Sequence, residues 1–104
     1  MRAEALKGHL DGLILATLAN GPAHGYAIAQ LLRDRSDGAF DLPEGTLYPA
    51  LHRLERAGLV TSAWSTQAGR RRRTYMLTRS GGGALRERRH EWRLFASAVE
   101  AVLT

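Results

Sequence analysis

The chain of 104 residues contains no cysteine, which excludes a disulfide framework and a thiolate metal site and fits a reducing compartment. Its histidines are scattered singly, without HxxxH or HExxH spacing, and the triplet Gly81–Gly83 lacks the Lys-Ser/Thr pair of a phosphate-binding loop. The sequence therefore indicates no metal site, no cofactor and no catalytic pair. An enzyme is the least favoured class of function.

The chain also lacks a long hydrophobic run. Its apolar stretch at residues 12–19 follows Arg2 and Lys7, as the apolar part of a signal peptide would. Glu4 and Asp11 interrupt this region, however, and the stretch is too short to cross a bilayer. We therefore expect a soluble cytoplasmic protein without a membrane partner.

Lysine is nearly missing, because fourteen of the fifteen basic residues are arginine, and the net charge is +5. Arginine suits phosphate, since its planar fork donates two parallel hydrogen bonds. Acidic residues are missing between Val60 and Ser80, where five arginines occur: Arg70, Arg71, Arg72, Arg73 and Arg79. Such a patch predicts a polyanionic partner, although the run alone would also suit a solvated loop or a targeting tag.

The first half of the chain predicts three short helices. Apolar residues recur with helical spacing over Leu10–Leu18, and Asn20-Gly21-Pro22 ends this helix. A second, shorter helix contains Tyr26–Leu32. A third lies within residues 44–60 and ends at Gly58, a usual C-terminal residue of helices.

After the third helix the pattern changes to the alternation of β-strands. Leu59–Ser65 and Arg72–Thr78 contain β-branched and aromatic residues and are separated by Thr66–Arg71, so we predict a β-hairpin with a basic tip. Thr78 is a good N-cap for a last helix that runs to about residue 103. The glycines at residues 81–83 each cost about 1 kcal/mol relative to alanine in a helix, so we expect its start to fray or bend.

Three short helices followed by a hairpin is the order of a winged helix-turn-helix domain. We predict a mainly α fold with a small β-hairpin: a DNA-binding domain at residues 1–78 and a C-terminal dimerisation helix at residues 79–104, in one compact unit. In this architecture the third helix enters a groove of DNA and the hairpin, or wing, lies along the backbone. The arginine run at the wing tip then favours phosphate contact.

A rotation of 100° per residue gives the third helix two faces. The sector facing the core contains Leu47, Leu51, Leu54 and Gly58. The opposite face is basic, and at its centre Gly45 and Pro49 offer no side-chain donor or acceptor. Base reading is therefore expected from His52 on this face, from Thr46 and Arg53 on one flank and from Tyr48 on the other. Tyr48 at the edge of the core and His52 as a solvated bystander are the alternatives.

Pro49 restricts where the third helix begins. If Thr46 is the N-cap, Pro49 is the third helical residue and no hydrogen bond is lost, because the first N–H groups of a helix have no internal partner. If the helix begins at Glu44, Pro49 costs one bond or a distorted turn. Either start makes Pro49 a marker of the helix end that faces DNA.

The last helix carries an apolar seam whose members are spaced 7, 3, 4 and 3, with Arg88 at its one polar position. Its members are Leu85, Trp92, Phe95, Val99 and Val102. A chain this short has little core of its own, so the seam predicts a homodimer. The alternative is that the seam packs against the first helix of the same chain.

Three motifs occur together: Gly21-Pro22-x-His24-Gly25-Tyr26-x-Ile28, Glu44-Gly45-Thr46-Leu47-Tyr48-Pro49-Ala50-Leu51-His52-Arg53-Leu54-Glu55-x-x-Gly58-Leu59, and Gly69-Arg70-Arg71-Arg72 with Tyr75 and Leu77-Thr78-x-x-Gly81. In combination, and over nearly the whole chain, they resemble the PadR family of bacterial transcriptional regulators. The resemblance implies a homodimeric winged helix-turn-helix repressor with one C-terminal dimer helix. It also implies that His24 and Tyr26 lie beside the DNA backbone. Gly82 and Gly83, where helix formers are usual, and Gly12, where a larger apolar residue is usual, depart from it.

The resemblance also implies an effector. Family members commonly respond to small aromatic or hydrophobic compounds, and in some drug-sensing members a tryptophan on the last helix stacks flat aromatic ligands between subunits. Trp92 corresponds approximately to that position. Plain dimer packing of Trp92 is the alternative.

The predicted function is that of a DNA-binding transcriptional regulator, a repressor that binds a pseudo-palindromic operator in double-stranded DNA as a homodimer. The predicted DNA-binding residues are His24, Tyr26, Thr46, Tyr48, His52, Arg53, Arg70, Arg71, Arg72 and Arg73. The alternative function is a winged-helix protein-interaction module, although such modules usually lack a basic recognition face and wing.

Overall fold

The computed structural model describes residue 6 and residues 8–104, and its elements follow the predicted order. The helices are α1 (Leu10–Leu18), α2 (Gly25–Arg35), α3 (Glu44–Arg56) and α4 (Arg79–Leu103). The strands are β1 (Ala23–His24), β2 (Val60–Gln67) and β3 (Arg70–Leu77), in an antiparallel sheet of order β1-β3-β2. The predicted winged helix-turn-helix with a long C-terminal helix is confirmed. The short strand β1, which the sequence pattern does not predict, pairs with the outer side of the hairpin.

The core lies between the short helices and the base of the hairpin. The predicted inner face of α3 is confirmed for Leu47, Leu51 and Leu54, which are 1 %, 0 % and 2 % exposed, and is wrong for Gly58, which lies beyond the helix and is exposed. The three leucines pack in one cluster with Ile14 of α1 and Ile28 of α2. Full burial of such a side chain contributes about 1.5–3 kcal/mol. This burial fixes the rotation of α3 about its axis and directs the opposite face outward.

The helix α3 begins at Glu44, with Pro43 as its N-cap residue. The alternative in which Thr46 caps the helix is therefore wrong: the Thr46 N–H lies in the first turn and donates to the Pro43 carbonyl at 3.0 Å. Pro49 costs one backbone hydrogen bond, since the Gly45 carbonyl faces a residue without an N–H. Gly45 is exposed, so water can hydrate this carbonyl.

The hairpin is longer than predicted. Its strands are joined by Ala68 and Gly69, at φ 50° and 77°. Two successive positive φ angles are typical of the type I′ turn, which matches the twist of a hairpin. The predicted connection at Thr66–Arg71 is therefore too long: Arg70 and Arg71 lie in β3 with Arg72 and Arg73, and Arg70 pairs with Gln67 next to the turn.

The long helix α4 begins directly after Thr78, whose hydroxyl accepts a hydrogen bond from the Gly81 N–H at 3.0 Å, so the predicted N-cap is confirmed. The start of α4 was expected to fray or bend at the glycine triplet, and the triplet lies within one uninterrupted helix. Gly81 is buried, and a β-carbon there would collide with the Leu59 carbonyl. Neither α4 nor any other helix in the described part of the chain is long and apolar enough to cross a membrane.

Thr78 also joins α4 to the end of α3. Its hydroxyl donates to the Gly58 carbonyl at 2.7 Å, and its N–H donates to the Leu59 carbonyl at 3.1 Å. Gly58 has φ 77°, and the Leu59 N–H donates back to the Leu54 carbonyl at 2.9 Å, which closes the last turn of α3. One side chain thus holds the end of α3 against the start of α4.

Farther along α4, Arg88 crosses α1 at Gly12. A β-carbon at residue 12 would lie 3.5 Å from the Arg88 Cβ, which is an ordinary contact. The Arg88 guanidinium donates to the Gly8 carbonyl at 3.1 Å. Arg88, the polar residue of the predicted seam, therefore makes its hydrogen bond within its own chain.

Candidate nucleic-acid interface

The N-terminus of α2 is capped by His24. Its Nδ1 atom accepts from the Ala27 N–H at 3.2 Å, and its backbone has the extended conformation of an N-cap residue. Tyr26, in the first turn, is 64 % exposed, and its ring stacks beside that of His24 with 6.3 Å between centroids. The two side chains of the HGY motif therefore lie together at the start of α2.

Arg72 of β3 approaches the other side of the His24 ring, with its Nη1 atom 2.8 Å from Nε2. The guanidinium is a donor, and so is the Ala27 N–H at Nδ1. A neutral imidazole has one acceptor nitrogen, so His24 accepts from one of these donors at a time. Burial, and secondly the charge of Arg72, lower the pKa of His24 from 6.5, which favours the neutral ring at pH 7.

Tyr48 connects α3 to the same end of α2. A β-carbon at Gly25 would lie 2.5 Å from the Tyr48 Oη atom, so the ring packs directly against the first residue of α2. The side chain is nevertheless 37 % exposed. Tyr48 therefore packs against α2 and still reaches the surface, and its close approach requires the glycine of the HGY motif.

The other predicted reading residues lie on the outward side of α3. Thr46 is half-buried, and His52 and Arg53 are exposed. Arg53 is held within the chain, because its Nη2 atom lies 2.9 Å from the Asp11 Oδ1 atom of α1. The sequence assigns Arg53 to a guanine edge, whereas in the fold an acidic residue 42 positions away in sequence holds one of its guanidinium nitrogens.

The strand geometry divides the arginine run between the two faces of the wing, because alternate side chains of a strand point to opposite faces. Arg72 lies on the face of the hairpin that meets His24. Arg71 and Arg73 lie on the other face, where their guanidinium carbons are 4.9 and 5.5 Å from the ring centroid of Trp64. Arg73 also lies 3.9 Å from Glu55 near the end of α3.

The predicted dimer seam is exposed except at its first member. Leu85 is 4 % exposed and belongs to the core of its own chain, so its assignment to the dimer interface is wrong. Trp92, Phe95 and Val102 are 53 %, 57 % and 84 % exposed, and Val99 is half-buried. The alternative, in which the seam packs against α1 of the same chain, therefore holds only for the start of the seam.

An open groove of about 750 Å³ runs between α1 and α4. It is lined by apolar residues, including Leu13, Phe40 and Trp92, and by the charged residues Arg89 and Glu91. The Trp92 ring is edge-on to His9 at 5.5 Å between centroids. The exposed seam and the groove are therefore parts of one apolar surface that contains the predicted effector residue.

Two contacts near α3 and the wing lie outside the sequence-based predictions: Trp64 with Arg71 and Arg73, and Asp11 with Arg53. The sequence pattern identifies Trp64 only as a strand residue. In the observed register Trp64 pairs with Arg73, and Arg71 lies on the same face of β3. The Asp11–Arg53 pair joins residues far apart in sequence, and no local pattern indicates it.

A winged helix-turn-helix with a basic wing, an outward-facing α3 and a terminal helix with an exposed apolar seam defines the class of winged-helix transcriptional regulators. Residues 14–87 match the family model described as the transcriptional regulator PadR-like family. The chain belongs to this family, as its motifs indicate. Members of the family are transcriptional regulators, so the prediction that the chain is not an enzyme is confirmed.

Individual relatives agree with this assignment. The chain is 42 % identical over 76 residues to the transcriptional regulator Rv3488 of Mycobacterium tuberculosis, covering 73 % of this chain and 68 % of the relative. A transcriptional regulator from Clostridium thermocellum has a TM-score of 0.89 and 28 % identity, over 98 % of this chain and 100 % of that one. A PadR family transcription regulator from hypervirulent Clostridium difficile R20291 has a TM-score of 0.84 and 36 % identity, over 93 % and 100 %.

Proposed function

We propose that the chain is a homodimeric repressor that binds a pseudo-palindromic operator, with α3 in the major groove and the wing along the phosphate backbone. Residues 1–78 serve as the DNA-binding unit and residues 79–104 as the dimerisation helix. The family resemblance is the basis for two parts of this proposal: that the protein represses transcription, and that a small aromatic or hydrophobic effector releases it from DNA.

One observation carries the DNA-binding part of this proposal. Tyr48 of α3 packs on Gly25 at the start of α2, and the adjacent His24 meets Arg72 of the wing at 2.8 Å. Three elements that are separate in sequence thus contribute to one surface. That surface combines a helix N-terminus, two exposed aromatic rings and Arg72 of β3, a composition suited to phosphate and groove contacts, and Arg71 and Arg73 lie on the opposite face of the same wing.

Within this surface we assign separate roles to the wing and to α3. The arginines of residues 70–73 anchor phosphates, and His24 and Tyr26 contact the backbone beside them. Reading is assigned to Thr46, Tyr48 and His52, which lie on or near the outward face of α3. Arg53 joins them when the operator displaces Asp11 from its guanidinium.

The dimer is supported by the exposed half of the α4 seam. Trp92, Phe95 and Val102 leave more than half of each side chain uncovered in the single chain. A second copy that covers them would place two α3 helices on the same side of the dimer, and half-sites about one helical turn, ~34 Å, apart would then be expected.

DNA binding is tested with the intergenic DNA on either side of the gene, by gel shift and footprinting at several salt concentrations. We expect two protected half-sites and a steep fall in affinity with salt. Replacing Arg70, Arg71, Arg72 and Arg73 with alanine should weaken binding to all sequences alike and flatten the salt slope. Equal binding by mutant and parent would contradict the wing assignment, and no binding by the parent would favour a protein-interaction module.

The dimer is tested by light scattering at micromolar concentration, where we expect a mass of two chains of 11.4 kDa. Phe95→Glu, which places a charge in the exposed seam, should shift the mass to one chain. Glu87→Gln on the same helix is the control. A parent mass of one chain would overturn the dimer.

The effector is tested through the fluorescence of Trp92 in a Trp64→Phe background, titrated with planar aromatic compounds, including cations. Quenching that is saturable and absent in Trp92→Leu would support stacking at this residue. An unchanged spectrum across the panel would leave Trp92 with dimer packing alone.

A further inference from the structure

Trp64 is an exposed aromatic residue outside the core. It is 57 % exposed, although it lies on the face of β2 that carries the buried Val60 nearer the base of the hairpin. It pairs directly with Arg73 across the sheet, and Arg71 is the next residue of β3 on the same face. Both guanidinium groups lie over its ring, at 4.9 Å for Arg71 and 5.5 Å for Arg73.

The arginines near the interface differ in how their N–H groups are used. Arg53 directs its Nη2 atom at Asp11, and Arg72 directs its Nη1 atom at His24, so each has one nitrogen facing a partner within the chain. Arg71 contacts the flat face of an indole. A cation–π contact with a ring is not a hydrogen bond to an acceptor atom, so this contact does not itself pair the N–H donors of the guanidinium with an acceptor.

Arg73 combines both kinds of contact. It stacks on Trp64 and also lies 3.9 Å from Glu55, a carboxylate that in turn accepts a hydrogen bond from the Ser62 hydroxyl at 2.6 Å. The Glu55 contact is longer than a hydrogen bond, and Tyr75 is a further hydrogen-bond partner of Arg73. Trp64 therefore contacts two long cationic side chains at one place on the wing.

We propose that Trp64 is a positioning residue for DNA binding: its indole holds the Arg71 and Arg73 guanidinium groups in the orientation in which they bond two phosphates of the duplex. The inference rests on the proposed function. The expected gain in affinity is entropic. An unrestrained arginine loses much of its rotamer freedom when it binds a phosphate, and an arginine already held against Trp64 loses less. Trp64 itself reads no base and contacts no phosphate.

The test uses binding of the full-length protein to a fluorescein-labelled mixed-sequence duplex, followed by anisotropy between about 50 and 200 mM salt. Trp64→Leu should weaken binding about threefold to tenfold. Its salt slope should match that of the parent, because both arginines still reach their phosphates. Trp64→Phe, which retains a ring, should recover most of the loss. Met76→Leu, at an exposed residue on the other face of the hairpin, is the matched control.

A double-mutant comparison distinguishes positioning from direct contact. Arg71→Ala with Arg73→Ala should reduce both the affinity and the magnitude of the salt slope, by about 0.9 for each lost phosphate contact. In that background Trp64→Leu should have no further effect. A further loss there, or equal binding by Trp64→Leu and the parent, would overturn the proposal.

Two readouts keep the outcomes apart. Far-ultraviolet circular dichroism and thermal unfolding of each variant show whether the hairpin still folds, and the Phe variant retains the test if the Leu variant does not. If the parent fails to bind any duplex, the proposed function and this inference both fall. If the parent binds with a steep salt slope and Trp64→Leu matches it, only the role of Trp64 falls.

Discussion

The Tyr48 hydroxyl occupies the space beside Gly25 that a β-carbon would need, with 2.5 Å between Oη and the position of that carbon. Through this contact α3 packs directly against the first residue of α2. It explains in steric terms why a glycine stands between His24 and Tyr26.

Gly25→Ala should therefore destabilise the chain by about 1–3 kcal/mol, because the added methyl group displaces the Tyr48 ring. The measurement is urea unfolding. In a Tyr48→Ala background the same substitution should cost little. Gly45→Ala is the matched control, since nothing lies within 4 Å of its added carbon, and it should be neutral or stabilising by up to about 1 kcal/mol. Equal effects at both glycines would contradict the steric account.

The glycine triplet offers a second comparison. Gly81→Ala should destabilise by about 1–3 kcal/mol or more, because its β-carbon meets the rigid Leu59 carbonyl. Gly82→Ala and Gly83→Ala should each stabilise by up to about 1 kcal/mol, since an alanine there meets only the ends of the Arg86 side chain, 3.8 and 3.7 Å away. Thermal or urea unfolding of the three variants checks the order. Destabilisation by all three substitutions would show that stability depends on the flexibility of the triplet and not on the close contact between Gly81 and the Leu59 carbonyl.

The ion pair between Asp11 and Arg53 predicts a gain of DNA affinity on mutation. Asp11→Asn should release the Arg53 guanidinium for DNA, tighten binding and increase the magnitude of the salt slope by about one phosphate contact. The stability loss should stay below about 1 kcal/mol, because the pair is exposed. Asp41→Asn is the control, since it makes the same charge change and breaks the exposed Arg33 pair on the C-terminal half of α2. Equal gains in both variants would reflect net charge alone.

His24 predicts a dependence of stability on pH. Its pKa is lowered in the folded chain, so the unfolded chain binds more protons below the ordinary value of 6.5. This contribution to stability is present above pH 6.5 and is lost as the pH falls through the lowered pKa. In His24→Asn, which keeps a capping side chain, the fall in melting temperature between about pH 6.5 and pH 5 should be smaller than in the parent. His52→Asn, at an exposed histidine of α3, is the control, and an unchanged pH profile in His24→Asn would contradict the assignment.

Local patterns predicted the elements well because their causes are local. The spacing of Leu47, Leu51 and Leu54 identified the inner face of α3, and the Thr78 hydroxyl was recognised as a cap from its place before a helical pattern. The hairpin was predicted too short, because Ala68 is not a residue that signals a positive φ, and the turn was therefore assigned to a longer basic loop.

Contacts between distant parts of the chain could not be predicted in this way. Leu85 fits the heptad spacing of the seam, yet helix packing turns it into the core of its own chain. Arg53 has the right chemistry for a base edge, and the fold brings Asp11 beside it. In both cases the sequence pattern does not show which neighbour the fold places beside the residue.

The Thr78 hydroxyl bonds both the carbonyl at the end of α3 and the amide in the first turn of α4. A rotation of α4 about its axis must therefore carry the end of α3 with it or break one of these bonds. In the proposed dimer, a compound that changes the angle between two α4 helices at Trp92 would change the separation of the two α3 helices as well. The operator spacing that the protein accepts would then depend on the angle between its dimer helices, and Thr78 would be one of the contacts that transmit it.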